Sequence, residues 1–260
     1  VRESPCFFSR IVQAVSQTPR WKNADAQASA TNHRLNASQI YVEPFCGGAA
    51  VLVAKRPSAR EVINDIDGEL INLYKQVRYH LAAVVHELRL MVESRQLFAD
   101  SKLQPGTTEI QRAASYVYRN FYSFAGDNDS FGVKRLGFTT RSYLLRKIAA
   151  MSRRLDRVTI EHLSWERCMA LYDCPSALFF CDPPYTQGEV RSYSPWTAAD
   201  VARLRDALGR LKGTWVVTLN DCETNREAFT GCQIKAVTTA AAMTNSSRPG
   251  RRFGELIIRP

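Results

Sequence analysis

Ala177-Leu178-Phe179-Phe180-Cys181-Asp182-Pro183-Pro184-Tyr185 reads as a buried strand that stops at a carboxylate, two prolines and an aromatic ring. In an open α/β fold the carboxyl ends of such strands hold the ligand, so these groups sit where chemistry is done. Asp182 and a carbonyl oxygen left over by proline's missing N–H can both accept hydrogen bonds from an amine, and Tyr185 can stack on a flat ring. The same four residues are also an ordinary way to end a strand, because proline blocks further ladder pairing and fixes a turn. The rest of the chain has to choose between the two.

Working outward, the pattern alternates. Ile40-Tyr41-Val42 reads as a strand, Gly48 to Lys55 as a helix, Glu61-Val62-Ile63 as a strand, and Gly68 to His80 as a helix that continues or restarts towards Glu93. Strand, helix, strand, helix predicts a parallel sheet. From 94 to 157 the pattern becomes helix, loop and helix, punctuated by Pro105-Gly106 and by Gly126 to Gly132; we read this as an inserted, mainly helical module. Strands return at Val158 to Ile160, Leu178 to Cys181, Trp215 to Leu219, Ile234 to Val237 and Glu255 to Ile258, with a helix from Thr197 to Leu211. The last two strands leave no room for a crossover helix and predict an antiparallel hairpin at one sheet edge. Phe7 to Val15 reads as a short amphipathic helix and Pro19 to Gln39 as a long polar loop.

The chain has 260 residues, 35 Lys plus Arg against 25 Asp plus Glu, and a formal net charge of +10. An acidic polymer is the natural partner, nucleic acid first. Arg112, Arg119, Lys134, Arg135, Arg141, Arg146, Lys147, Arg153, Arg154 and Arg157 cluster in the central segment, which favours a binding face over a uniformly basic surface. Seven cysteines without a C-x-x-C pair argue against a disulfide framework and against zinc, and predict reduced thiols in a cytoplasmic protein. His33, His80, His86 and His162 lack metal-ligand spacing, so no metal is expected. No stretch approaches the ~20 apolar residues of a membrane span. No long apolar region follows Arg2-Glu3-Ser4-Pro5, so a secretory leader is not expected.

Two further signals lie upstream of Asp182. The first strand runs into Glu43-Pro44-Phe45-Cys46-Gly47-Gly48-Ala49-Ala50, where glycine lets the backbone approach a ligand at a helix start. G-x-G-x-x-G is absent, so a pyrophosphate cofactor is not indicated. The second strand ends in Asn64-Asp65-Ile66-Asp67, roughly 20 residues on, where nucleoside sites set an acid against ribose hydroxyls. Asp67, before Gly68 and Glu69, also suits a helix N-cap.

These three motifs, in this order and with a basic insert before the last, resemble the Dam-like family of adenine-specific (N6) DNA methyltransferases; the resemblance runs from Ile40 to the end of the chain. It implies a Rossmann-like methyltransferase sheet, mostly parallel with an antiparallel C-terminal hairpin. The catalytic domain would comprise 1–93 and 158–260 and the inserted target-recognition domain 94–157. It implies S-adenosylmethionine as cofactor, held by Glu43, Phe45, Cys46, Gly47, Asp65, Ile66 and Asp182, with the strand from Val158 to Leu163 leading to the cofactor's adenine. It implies double-stranded DNA as substrate, with Asp182, Pro183, Pro184 and Tyr185 at a flipped base. Oligomeric state, monomer or homodimer, stays open.

The insert offers Arg119, Asn120, Tyr122, Lys134 and Arg135 as a base-reading surface, although Phe121, Tyr122 and Phe124 also suit a core. Arg141, Arg146 and Lys147 suit phosphate contacts. Arg191 and Tyr193, after the tetrapeptide, are expected at the flipped base, and Asn245 to Arg252 at a basic hairpin tip. The family opens with an aromatic residue, glycines and a lysine that meet the cofactor; in this chain Ser4-Pro5-Cys6-Phe7-Phe8-Ser9-Arg10 stands instead, with Phe8 where lysine is expected.

An aromatic amine is a poor nucleophile because its lone pair is delocalised, so two acceptors must draw its N–H groups into a geometry that frees it. Methylation of RNA or of cytosine N4 would use the same groups. A DNA-binding subunit with a weakened cofactor site is the non-enzymatic alternative.

Overall fold

The computed structural model describes residues 39–123, 130–132, 141–185, 196–240 and 252–260. A seven-stranded sheet forms its centre: β1 (Ile40–Glu43), β2 (Arg60–Asn64), β3 (Val158–Glu161), β4 (Ala177–Cys181), β5 (Thr214–Asn220), β6 (Gln233–Ala240) and β7 (Arg252–Arg259). Their order is β3-β2-β1-β4-β5-β7-β6. The first five are mutually parallel, and β7 runs antiparallel to both β5 and β6. The expected hairpin is there, with one addition: the last strand inserts between β5 and β6 and leaves β6 at the edge.

Side chains of the central strands alternate between two cores. Tyr41, Ile63, Leu178 and Val216 belong to one, and Val42, Val62, Ala177, Phe179, Cys181, Val217, Leu219, Leu256 and Ile258 to the other. Both faces are apolar because both are covered, as a parallel sheet requires.

The first face is covered by α1 (Ala50–Ala54), α2 (Gly68–Tyr79), α3 (Leu81–Leu90), α4 (Arg95–Leu103), α5 (Glu109–Tyr122) and α6 (Arg141–Arg154). Asp67 caps α2, its Oδ1 accepting from the N–H groups of Glu69 and Leu70, which satisfies two of the four orphan donors. A capping box between Thr108 and Gln111 starts α5. The helices of the 94–157 segment share this core with α2 and α3.

A buried ionic trio ties α6 to the sheet. Glu61 on β2 accepts from Lys55 at 2.5 Å and from Arg154 at 2.5 Å, and the same guanidinium donates to the carbonyl of Leu52 at 2.8 Å. Salt-bridging to the two cations holds the Glu61 carboxyl below its ordinary range despite burial, which acts the other way.

The second face carries α7 (Trp165–Tyr172), α8 (Ala198–Gly209) and α9 (Glu223–Ala228). Helices α7 and α9 are additions to the sequence reading. A capping signal for α7 was present, since Ser164 accepts from the N–H of Arg167, whereas α9 is a six-residue turn seated by Asn225 on the carbonyl of Asn220. The expectations for Phe7 to Val15, Pro19 to Ser38, Phe8, Phe124, Lys134, Arg135, Arg191, Tyr193 and the hairpin tip lie outside the described residues. No helix among the described residues is long and apolar enough to cross a membrane.

Candidate active site

The carboxyl ends of β2, β1 and β4 lie side by side, so the sheet brings the three motifs to one edge. Asn64, fully buried at the end of β2, pins this edge. Its amide donates to the carbonyls of Pro44 at 2.9 Å and Leu163 at 3.1 Å, and its oxygen accepts from the Leu163 N–H at 2.8 Å. One side chain thereby ties together the segments that leave β1, β2 and β3. It stood inside a quoted motif, but periodicity alone says nothing about what an amide at a strand end will touch.

The turn after β1 depends on local geometry. Gly47 has φ +43°, a left-handed conformation that costs other residues about 1 kcal/mol or more, and a Cβ placed there would meet nothing within 4 Å among the described residues. Among the described residues, the turn is therefore open on the side where a ligand would approach. Tyr74 on α2 donates to the Gly47 carbonyl at 2.6 Å, and Asp65 Oδ2 accepts from the Gly47 N–H at 2.9 Å. The other Asp65 oxygen accepts from the Asp67 N–H at 3.0 Å. Asp65 is 8 % exposed, and burial raises its carboxyl above the ordinary value while the two N–H groups oppose the shift. Ile66 beside it is 65 % exposed and offers a bare apolar surface at the end of β2.

Phe45 forms an aromatic cluster with Trp165, ring centroids 5.9 Å apart, and with Trp196 at 5.6 Å edge-on. The indole Nε1 of Trp196 is buried and has no hydrogen-bond partner among the described residues. Both tryptophans escaped the sequence reading because they come from separate helix starts, Trp165 opening α7 and Trp196 preceding α8. Cys46 is buried, and burial, with Asp65 nearby, pushes its thiol well up. That removes any thiolate nucleophile and leaves a packing side chain.

Glu43 differs from its expected role. Rather than facing a cofactor it is 2 % exposed, and its Oε1 accepts from the Tyr41 hydroxyl at 2.7 Å and the Leu52 N–H at 2.7 Å. It braces the turn between β1 and α1 from inside. Burial pushes its carboxyl up to about 7; the two hydrogen bonds and Lys55 oppose this, and Asp182 adds to it.

At the end of β4, Asp182 Oδ1 accepts from the Thr218 hydroxyl at 2.7 Å, and Tyr185 donates to Glu255 Oε1 at 2.9 Å. Pro183 is buried and Pro184 half-buried. The edge thus joins a carboxylate, a proline carbonyl and an aromatic ring to an open glycine turn and a second acid two strands away.

The candidate DNA contacts fare differently. Asn120 is 3 % exposed and Tyr122 8 %, so both belong to the core of α5 and do not form a base-reading surface. The Arg119 guanidinium donates to the Ser101 carbonyl at 2.6 Å, and that of Arg141 to the carbonyls of Met91 and Arg89. Arg112 pairs with Glu69 and Arg154 with Glu61. Much of the arginine cluster is therefore spent inside the helical layer, because a guanidinium's five donors can tie off several helix-end carbonyls at once. Arg146, Arg153 and Arg157 are exposed. Among the described residues no group of three or more His, Cys, Asp and Glu side chains is placed to hold a metal ion.

A parallel sheet with a reversed strand β7 beside β5, and a ligand edge at β2, β1 and β4, defines a Rossmann-like methyltransferase domain. The match goes further than the class. Residues 29–243 fit the model of the D12 class N6 adenine-specific DNA methyltransferase family, and the chain belongs to that family. It is similar to the Retron Ec67 DNA adenine methylase of Escherichia coli, 24 % identical over 176 residues that cover 63 % of this chain and 61 % of that protein. The DNA adenine methylase of Vibrio cholerae is 22 % identical over 237 residues, 83 % of this chain and 85 % of its own. The Type II methyltransferase M1.LlaDCHI of Lactococcus lactis subsp. cremoris is 26 % identical over 233 residues, 79 % and 82 %.

Proposed function

We propose that this protein methylates the exocyclic N6 of adenine in duplex DNA, with S-adenosylmethionine as donor. The observation that carries the proposal is Asp182 at the end of β4, its carboxylate accepting a hydrogen bond from Thr218, on the same sheet edge as the Gly47 turn.

The edge fits the donor. The space beside Gly47, the buried Trp196 N–H without a partner among the described residues, and the bare face of Ile66 are features a nucleoside with a charged amino-acid tail can use. Phe45 to Gly47 would hold the tail and adenosine side, Asp65 the ribose hydroxyls, and Ile66 with the Phe45 cluster the adenine. When bound, S-adenosylmethionine supplies a methyl group on a positively charged sulfur.

Every other contribution comes from the chain. Asp182 and the Pro183 carbonyl accept hydrogen bonds from the two N–H groups of the target amine and draw the nitrogen towards a pyramidal geometry, which withdraws its lone pair from the ring. As positive charge grows on that nitrogen, the Asp182 carboxylate stabilises it more than it stabilised the neutral amine, which lowers the barrier, and the surplus N–H proton then passes by way of Asp182 to water. Tyr185 stacks on the base, contributing about 1 to 3 kcal/mol towards the few kcal/mol needed to extrude it from the duplex. Arg146 and Lys147 on α6 supply phosphate contacts. Lys134, Arg135 and Arg191 are further proposed DNA contacts.

Two measurements test this. DNA from cells expressing the protein is sequenced with detection of N6-methyladenine, and methylation at a defined motif is expected. Asp182→Ala should abolish methyl transfer while DNA affinity stays within about threefold of the parent. Full adenine methylation by Asp182→Ala would rule out the carboxylate as the group that holds the amine.

A further inference from the structure

We propose that Thr218 on β5 and Glu255 on β7 are the positioning residues of the Asp182 to Tyr185 segment, Thr218 aiming the carboxylate and Glu255 holding the tyrosine ring. The proposal rests on reading that segment as the amine-holding site.

Strand alternation first brings Asp182 and both positioning side chains to one side. Cys181, Val217, Leu219, Leu256 and Ile258 all face the second core, so Asp182, Thr218 and Glu255, each one residue out of step, face the first. Ile257, two residues from Glu255 and paired with Thr218 across the ladder, packs on that first core as the alternation requires.

The two contacts differ in what they fix. A carboxylate just past a strand end can turn about two side-chain bonds. Thr218 is β-branched and therefore stiff about its first bond, and it comes from the interior of a strand, so its hydroxyl is a fixed donor. Its bond of 2.7 Å to Oδ1 sets the plane of the Asp182 carboxylate. The Tyr185 ring is held at its far end, by a bond of 2.9 Å to Glu255 Oε1.

Glu255 reaches the ring only because β7 lies close to the end of β5. Gly254 makes that approach possible: a Cβ there would fall 2.7 Å from Asp221 Cβ, and the Gly254 carbonyl accepts from the Asp221 N–H at 2.9 Å. The register then sets Glu255 opposite Asn220. The reversed strand thus delivers a side chain from the last residues of the chain to a segment some seventy positions upstream.

A positioning role predicts loss of turnover with binding intact, and recovery by a side chain that restores the one contact. The assay is single-turnover methyl transfer from tritiated S-adenosylmethionine by the full chain to plasmid DNA free of adenine methylation. Fluorescence anisotropy on a fragment of that plasmid reports DNA affinity. Thr218→Val keeps the shape and removes the hydroxyl; it should slow transfer on the order of 10- to 100-fold with affinities within about threefold, and Thr218→Ser should recover most of the rate. Glu255→Ala and Tyr185→Phe should each slow transfer by about tenfold, and together no further, because both remove the same bond. Glu255→Gln, which keeps an acceptor oxygen, should stay near the parent rate.

Parent rates in Thr218→Val, or fully additive losses in the Glu255→Ala, Tyr185→Phe pair, would overturn the proposal. Asp182→Ala run in parallel separates the two levels: if it is inactive while Thr218→Val is not, only the positioning roles fail, and if it is active, the reading of the site fails first.

Discussion

Glu43→Gln should make the protein more stable at neutral pH than at acid pH, relative to the parent. The parent carboxyl is raised from its ordinary 4.5 to about 7 by burial, with Asp182 adding and Tyr41, the Leu52 N–H and Lys55 opposing. Between those two values the unfolded chain has released a proton that the folded chain still holds. Folding stability therefore falls as pH rises from about 4.5 and is fully reduced above about 7. At about 1.4 kcal/mol per unit the loss is about 3 kcal/mol. Glutamine keeps an oxygen able to accept from both Tyr41 and Leu52 and carries no titrating charge, so it escapes the loss. Urea unfolding of both proteins at about pH 5 and about pH 8 should show the stability difference shifting by about 3 kcal/mol in favour of the variant, or roughly 6 to 12 °C in melting temperature. A difference that is the same at both pH values would refute the assignment of a buried, proton-holding carboxyl to this position.

Two more outcomes are expected at the site. Asn64→Ala leaves the carbonyls of Pro44 and Leu163 and the Leu163 N–H without their partner and should cost about 2 to 4 kcal/mol in chemical denaturation; a loss under about 1 kcal/mol would mean the three strand ends are held by other means. Trp196→Phe retains an edge-on ring against Phe45 and removes the buried N–H; calorimetry with S-adenosylmethionine should show affinity weakened about tenfold, the worth of one hydrogen bond, and unchanged affinity would exclude that N–H as a cofactor contact.

Sequence determined the sheet and its ligand edge. Ile40 to Val42, Val62 to Ile63 and Leu178 to Cys181 are short apolar runs between turn signals, and Gly47 and Asp182 stood out because their backbone and charge requirements are local. Such features need little knowledge of neighbours: a strand burying both faces is mostly apolar, and glycine adopts a positive φ at the least cost. What a polar side chain does was decided only by tertiary structure. Arg119 and Arg141 read as DNA contacts from charge alone, and in the fold their donors close off carbonyls at helix ends. Glu43 read as a cofactor-binding residue, and in the fold it braces the turn between β1 and α1 from inside. Thr218 and Glu255 carried no signal, since each acquires a role only when β5 and the reversed β7 come alongside the Asp182 to Tyr185 segment. Charge and hydrogen-bonding capacity are written in the sequence, but a polar group's partner is set by which strands and helices meet, and that is a property of the whole fold.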